Sequence, residues 1–383
     1  MPATLTSSQL FEQLVQDEWE FRLSENPLFA TQAGDHRFDD RLPSLTEAAF
    51  EHRAETLRGF LDRLGAIDRS ELDPAGRLNY DFFERELRIQ LGELAFKTYY
   101  IPLTKTNGVP VSFPEIVELT PHRTAADYEA YLRRLEAFPG LVDELIALMR
   151  AGAARGYLPA RTALAGVLEG CRLHAAADGP EAVERNAFFK PFNSMPDSIP
   201  AAERARLLSA GRAAVAGPLA AGYRRLADFL EAEYLPQTPP DLATLQMPDA
   251  AEYYQFCLQR YTSLDLTPRQ IHETGLAEVA RIRAEMEEVI RSVGFKGSLR
   301  AFSDALRADP RFFVDTPEQL MKEVAWLMKR IEGQLPGLFK TLPRTPFGMR
   351  EIPAYLAPAS TSAYYFLPSG DGTTAGFYYV NTY

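Results

Sequence analysis

The sequence predicts a mainly α-helical protein of long amphipathic helices, with a small β element of short strands near the C-terminus. Three observations lead there. Helix-start chemistry recurs along the chain: a Thr, Ser or Asp cap, in several cases a proline behind it, and in several Gln or Asp three residues on. Behind each start, apolar residues return every three or four positions, the period of one helix face. After Pro343 this pattern gives way to short aromatic and β-branched runs broken by Pro, Gly, Ser and Asp.

The elements follow in chain order. Ser8 precedes Phe11, Val15 and Trp19; Thr46 precedes Phe50, Leu57, Leu61 and Leu64; Asp73-Pro74 precedes Leu78, Phe82 and Ile89. Each set marks one helix with an apolar face. Thr124 and Asp127 open another, which carries Tyr128, Tyr131, Leu135 and Phe138. The Ala-rich stretch from Pro200 to Glu233 reads as one long helix bent near Gly217-Pro218. In TPRQ (267–270), Thr267 caps and Gln270 reaches back, with Leu276, Val279, Ile282, Met286, Val289 and Val293 along one face. TPEQ (316–319) repeats the box, and Leu320, Val324, Leu327, Ile331 and Leu335 form the stripe expected to be buried. AYYFL and GFYYVNT read as two strands joined by PSGDGTTA, whose Ser369-Gly370-Asp371-Gly372 core is turn chemistry.

Proline-rich breaks lie at 98–121, 191–200 and 235–248. The last divides the chain best, into an N-terminal helical region (1–245) and a helical plus β region (246–383). The final Thr382-Tyr383 falls within or at the edge of a strand without a polar tail, the pattern expected of a truncated end.

At 383 residues, with 46% hydrophobic and 24% charged side chains, the chain can bury a substantial core and reads as globular. A net charge of −11 repels phosphate backbones, so nucleic acid is not expected as a partner. No stretch reaches the ~20 apolar residues of a membrane helix, and the N-terminus lacks a basic start followed by an apolar run. Cytoplasmic residence is the expectation. Cys171 and Cys257 are then expected to be buried and reduced. Nothing here indicates the oligomeric state.

The chemistry is sparse. Five histidines exist, His36, His52, His122, His174 and His272. His272-Glu273 imitates the opening of a zinc-protease helix, but the second ligand position, one turn on, is Leu276. The pair reads as the first turn of the helix capped by Thr267, where an acidic residue suits the dipole. GDHRFDD (34–40) reads as a solvated loop with local ion pairs. His52, His122 and His174 stand without neighbours at ligand spacing. No GxSxG elbow, P-loop or GxGxxG fingerprint occurs. No catalytic residue, no metal ligand and no cofactor is therefore expected within these residues.

Three segments in this order, LTPRQIHETGLAEVARIRAEM, RIEGQLPGLFKTLPRTPFGMREIP and AYYFLPSGDGTTAGFYYVNT, resemble the bacterial family known as domain of unknown function 885. The early GDHRFDDRLP fits the opening of that family, so the resemblance spans essentially the whole chain. Members resemble gluzincin metallopeptidases and continue past the YYVNT strand into a helix with a His-Glu…Pro-Gly-His motif. The resemblance thus implies the helical part and the front of a truncated catalytic lobe of a zinc-dependent peptidase-like hydrolase. Zinc and a peptide substrate are expected in the complete protein, and this chain alone is expected to be inactive. By the same resemblance, the strand Gly376, Phe377, Tyr378, Tyr379, Val380 and Asn381 lies at the edge of the cleft. Its backbone is expected to pair with an extended peptide, with Tyr378, Tyr379 and Asn381 bordering the site. The competing reading is a non-catalytic helical protein that binds a peptide or partner.

Overall fold

In the computed structural model, which describes residues 5–240, 247–354, 357, 360–370, 372 and 374–383, side-chain caps set where the helices begin. The chain forms two units, 1–260 and 261–383. In the first, α1 (Ser7–Glu25) starts two residues earlier than expected, because Thr6 and Gln9 close the capping box and Ser8 lies inside the helix. Then come α2 (Pro27–Ala33), α3 (Glu47–Gly65) and α4 (Pro74–Ala95), with Thr46 and Asp73 capping the last two. Phe11, Leu14, Leu57, Phe60, Leu64, Tyr80 and Leu87 form the core between α1, α3 and α4.

Two of the expected faces need correction. On α4 the buried positions are Tyr80 and Leu87, with Phe83, Leu91 and Leu94 packed beside them, while Leu78 and Phe82 are exposed. Tyr80 orients this helix, since its hydroxyl donates to Leu64 O at 3.0 Å, a bond available only on that side. On α1 the inward face runs through Leu14 and Glu18, and Val15 and Trp19 sit at its margin, each 37% exposed.

Short turns fill 98–121, including α5 (Val109–Ser112) and α6 (Ile116–Leu119). They lead into α7 (Ala125–Ala154), whose Thr124–Asp127 box forms as expected. This is the central helix of the unit, with Tyr128, Tyr131, Leu135 and Phe138 all buried. Around it pack α8 (Val167–Ala175), α9 (Pro180–Arg185), a 3-10 segment (Ala187–Ser194), α10 (Ala201–Ala214) and α11 (Ala220–Phe229). The expected bend near Pro218 is a π-helical turn, Val215–Leu219, which takes up the missing N–H without breaking the helix. A second π turn (Leu230–Tyr234) leads to α12 (Leu235–Gln237), and α13 (Ala250–Thr262) closes the unit. Part of the 235–248 break, residues 241–246, lies outside the described residues.

Close approach against α7 requires glycine at one position. A Cβ on Gly152 would lie 2.7 Å from Tyr100 Cβ and 2.9 Å from its carbonyl oxygen. Tyr100 is 2% exposed, so neither atom has room to retreat. Gly152→Ala is expected to cost about 1–3 kcal/mol by overpacking, measured as the shift in the urea midpoint. An unchanged midpoint would show that the segment yields freely.

In the second unit, α14 (Pro268–Ser292) carries the Thr267–Gln270 capping box. α15 (Leu299–Ala308), α16 (Pro317–Glu332) and α17 (Leu335–Leu338) follow. Gln319 departs from the expected box on α16: its backbone N–H is capped by Thr316, but its side chain accepts from Asp315 N at 3.5 Å. The stripe expected to be buried on α16 is not. Leu327 and Ile331 are 50% and 51% exposed, and Leu320, Val324 and Leu335 are only half-buried. The stripe of α14 is equally open, from 42% at Ile282 to 65% at Val279, and Ile290 is its one buried residue. Period forecasts which face is apolar, but burial needs a second layer, and the described residues place none on these faces.

Three strands complete the unit: β1 (Phe347–Glu351), β2 (Ala363–Phe366) and β3 (Gly376–Val380), in the order β1-β3-β2. β1 runs parallel to β3, with Gly348 opposite Phe377 and Arg350 opposite Tyr379. β2 runs antiparallel to it, with Tyr364 opposite Tyr379 and Phe366 opposite Phe377. The expected β2–β3 pair is present, and β1 joins it from earlier in the chain.

Candidate functional site

The sheet holds the residues expected to border a substrate, and its topology separates them. Alternation along β3 sends Phe377 and Tyr379 to one face and Tyr378 to the other. On the first face Tyr379, 5% exposed, stacks on Tyr364 with ring centres 5.0 Å apart, and Phe366 meets it edge-on. Ile352 and Ala357 complete this small core. Arg350 lies 3.7 Å above the Phe377 ring and its Nη1 reaches Tyr379 Oη at 3.4 Å. Asn381 is turned to its own backbone surroundings. Its Nδ2 donates to Ala357 O at 2.9 Å and Thr361 O at 3.2 Å, while Oδ1 accepts from Tyr383 N at 3.0 Å. Tyr378 alone is half-buried on the more open face, opposite Met349 and Tyr365.

β3 is not an edge. It is bonded to β1 on one side and β2 on the other, so its N–H and C=O groups are already engaged by neighbours. An added strand cannot pair with it. Among the described residues, the outer edges of β1 and β2 carry no further strand, and these are where an extended chain could add. Sequence reading missed this because a parallel partner lies far away in sequence, and FGMRE lacks the alternation that marks a half-buried strand.

The histidines form no shared site. His272 is exposed just past the first turn of α14 in which it was expected, with Glu273 beside it. His36 Nδ1 lies 2.9 Å from Asp39 Oδ2. His52 meets Phe21 edge-on, and His122 and His174 sit among aromatic rings. Among the described residues no group of three His, Cys, Asp or Glu side chains is placed to hold a metal ion. Both cysteines are free; Cys171 is buried as expected, its thiol pushed up to about 12 by burial, whereas Cys257 is partly exposed.

GDHRFDD is more than a solvated loop. Asp35 and Arg37 do form the expected exposed pair at 2.5 Å. Asp39, however, is buried and accepts from Thr31 Oγ1 at 2.5 Å. Beneath it lies Arg134 of α7, fully buried, donating to Thr31 Oγ1 at 2.7 Å and to the carbonyls of Pro27, Arg41 and Phe38 at 3.0–3.1 Å. The sequence did carry a signal: Arg134 falls on the same face as Tyr131, Leu135 and Phe138, where a charge has no place unless it is paired.

A cleft of about 610 Å³ opens in the first unit between α1, α3, α4 and the 98–107 segment. Its charges are paired, Arg53 with Glu25 at 2.9 Å and Arg22 with Glu18 at 2.8 Å on its own walls, and Glu93 with Arg260 outside them. Arg53 also covers Phe50, which stacks on Tyr99 at 4.2 Å. These ion pairs hold the helices together.

Two solved structures share the architecture. A candidate lipoprotein of Colwellia psychrerythraea superposes with a TM-score of 0.88 at 22% identity, over 98% of this chain and 68% of that one. A candidate lipoprotein of unknown function from Shewanella oneidensis gives 0.57 at 15% identity, over 99% of this chain and 65% of that one. The chain thus spans about two-thirds of each, and at these identities the likeness is one of fold. No match is found among curated proteins. The model of the family described as bacterial protein of unknown function, DUF885, matches residues 27–383, the first unit from α2 onward and the whole of the second, and the chain belongs to that family.

Proposed function

We propose that the chain is the substrate-side part of a zinc-dependent, gluzincin-like peptidase-type hydrolase, taking an extended peptide on an outer edge of its small sheet. One observation carries the reading: among the described residues β1 and β2 are the outer strands of the sheet, so strand addition by an extended chain falls to one of them and not to β3. In this reading Tyr378 borders the peptide from the open face, while Tyr379 and Asn381 hold the sheet and the 357–361 segment in shape.

The described residues do not fit a zinc ion. His272 has Leu276 where a second imidazole is needed, and His36 is engaged by Asp39. No chemical step through the metal is assigned to this chain, and its ligands belong to further polypeptide. Two measurements on residues 1–383 test the proposal. Zinc titration is expected to give no tight site, and an extended peptide is expected to slow amide exchange in 347–351 or 363–366 but not in 376–380. A stoichiometric zinc site overturns the ligand assignment, and exchange unaltered in both edge strands overturns the peptide edge.

No described helix is long and apolar enough to cross a membrane. Cytoplasmic residence belongs to this reading, whereas the two similar structures are of candidate lipoproteins, which favours the cell envelope. Fractionation of the producing cell decides between the two.

A further inference from the structure

A groove of about 730 Å³ runs between α1 and α4 in the first unit and shares no lining residue with the cleft described above. Each helix gives it one continuous face. Phe11, Glu12 and Val15 on α1, and Phe82, Phe83 and Glu86 on α4, follow the three- and four-residue spacing that brings side chains into line. Phe11 and Phe83 meet edge-on with ring centres 6.0 Å apart, while Phe82 is 63% exposed. Among the described residues no lysine or arginine lines the groove.

Its carboxylates set it apart from the rest of these two helices. On α1, Asp17, Glu18, Glu20 and Glu25 are held by Arg63, Arg22, Arg37 and Arg53. On α4, Asp81, Glu84 and Glu93 are held by Arg69, Arg88 and Arg260. The remaining carboxylates, Glu12 and Glu86, both line the groove, and neither has a basic partner among the described residues. Glu86 accepts from the uncharged Gln90 at 3.0 Å. A groove with an apolar lining and uncompensated negative charge on both walls complements a ligand that is apolar in body and cationic at its flanks.

We propose that this groove binds a short basic amphipathic helix of a partner polypeptide. The partner's apolar side chains at i, i+3, i+4 and i+7 seat against Phe11, Val15, Phe82 and Phe83, and lysines or arginines on its flanks pair with Glu12 and Glu86. Two neighbouring helices leave a trough between their ridges into which the side chains of a third can fit. The lining runs over positions 8–16 of α1 and 75–86 of α4. That is about 12–16 Å at 1.5 Å per residue, or about two to three turns of the partner helix. A second copy of this chain fits poorly, because each copy brings a net charge of −11 to an acidic groove. The proposal requires neither zinc nor the sheet edge and is tested apart from both.

The test titrates the whole 383-residue chain into labelled helical peptides of about four turns, read by fluorescence anisotropy. The first peptide carries leucine at i, i+3, i+4 and i+7 with lysine on both flanks. The second has glutamate in place of each lysine, and the third keeps the composition of the first in an order that destroys the apolar face. The first is expected to bind, and the other two at least roughly tenfold more weakly. Phe82→Ser, at a position already exposed, should leave the helix content and urea midpoint of the free chain unchanged and weaken that binding at least roughly tenfold. Glu12→Gln with Glu86→Gln should weaken it at least roughly threefold and flatten its dependence on salt. The proposal is overturned if the lysine peptide does not bind, if the lysine and glutamate peptides bind alike, or if binding is indifferent to either set of variants. A dimer of the free chain that Phe82→Ser dissociates overturns it too, because a second copy is then the occupant.

Discussion

Arg134→Met is expected to lower the stability of the first unit by about 3–5 kcal/mol, the cost of breaking a buried charge network from one side. The side chain is 0% exposed. Its Nη2 donates to Pro27 O, Thr31 Oγ1 and Phe38 O, and its Nε to Arg41 O. Asp39 Oδ1 lies 3.8 Å from Nη2 and neutralises it, while burial draws the guanidinium down to about 10. Methionine fills most of the volume but donates nothing. Three carbonyls and a carboxylate would then face a thioether, each losing a partner it cannot replace from water.

The consequence reaches beyond one residue, because those carbonyls fix the path of residues 27–41 across α7. In urea the midpoint should fall, and the melting temperature should drop by roughly 6–20 °C, using 2–4 °C per kcal/mol for a unit of this size. Arg134→Lys should lie between wild type and Arg134→Met, since an ammonium keeps the charge beside Asp39 but cannot span four acceptors. In a double-mutant cycle, Asp39→Asn should be less costly in the Arg134→Met background than alone. A loss below about 1 kcal/mol in Arg134→Met would show that water reaches these groups and that the network is not a structural staple.

Legibility in the sequence follows the range of the interactions. Caps are local, so Thr46, Asp73, Thr124 and Thr267 can be read directly, and each accepts the expected N–H. The β2–β3 hairpin is legible for the same reason, its turn chemistry lying between two aromatic runs. What the sequence hides depends on partners distant along the chain. The inward face of α4 is chosen by the Tyr80 bond to Leu64 O, which Leu78 and Phe82 do not disclose. The central place of β3 depends on β1, about thirty residues earlier, and it removes β3 itself as the strand that receives a peptide. Tyr379 and Asn381, expected to border a site, are each engaged in holding the sheet, through Tyr364 and through the carbonyls of Ala357 and Thr361. Arg134 lies in plain view on an apolar face, but its acceptors are the backbone of a loop some hundred residues away.

Acid should destabilise the first unit through His122 and His174, more steeply than its surface ion pairs can account for. His174 is 6% exposed against Phe188 and Tyr223, with ring centres 5.3 and 5.1 Å away. His122 packs on Tyr128 and Tyr131, and its buried Nε2 has no hydrogen-bond partner. Burial brings both imidazoles down to about 4 from an ordinary 6.5, against the weaker pull of Asp127 and Glu118 on His122. The sign follows from which state binds the proton. Above pH 6.5 neither state is protonated and these groups do not affect stability. As pH falls through 6.5 the unfolded chain takes up protons that the folded chain refuses, and stability drops until the folded sites titrate near 4. Each histidine then costs about 3 kcal/mol, since every tenfold loss of proton affinity on folding is worth about 1.4 kcal/mol. The double variant His122→Phe and His174→Phe should lose this slope between pH 6.5 and 4, whatever its stability at pH 8. If it keeps the wild-type slope in that window, the two rings are reached by solvent when folded and the acid response arises elsewhere.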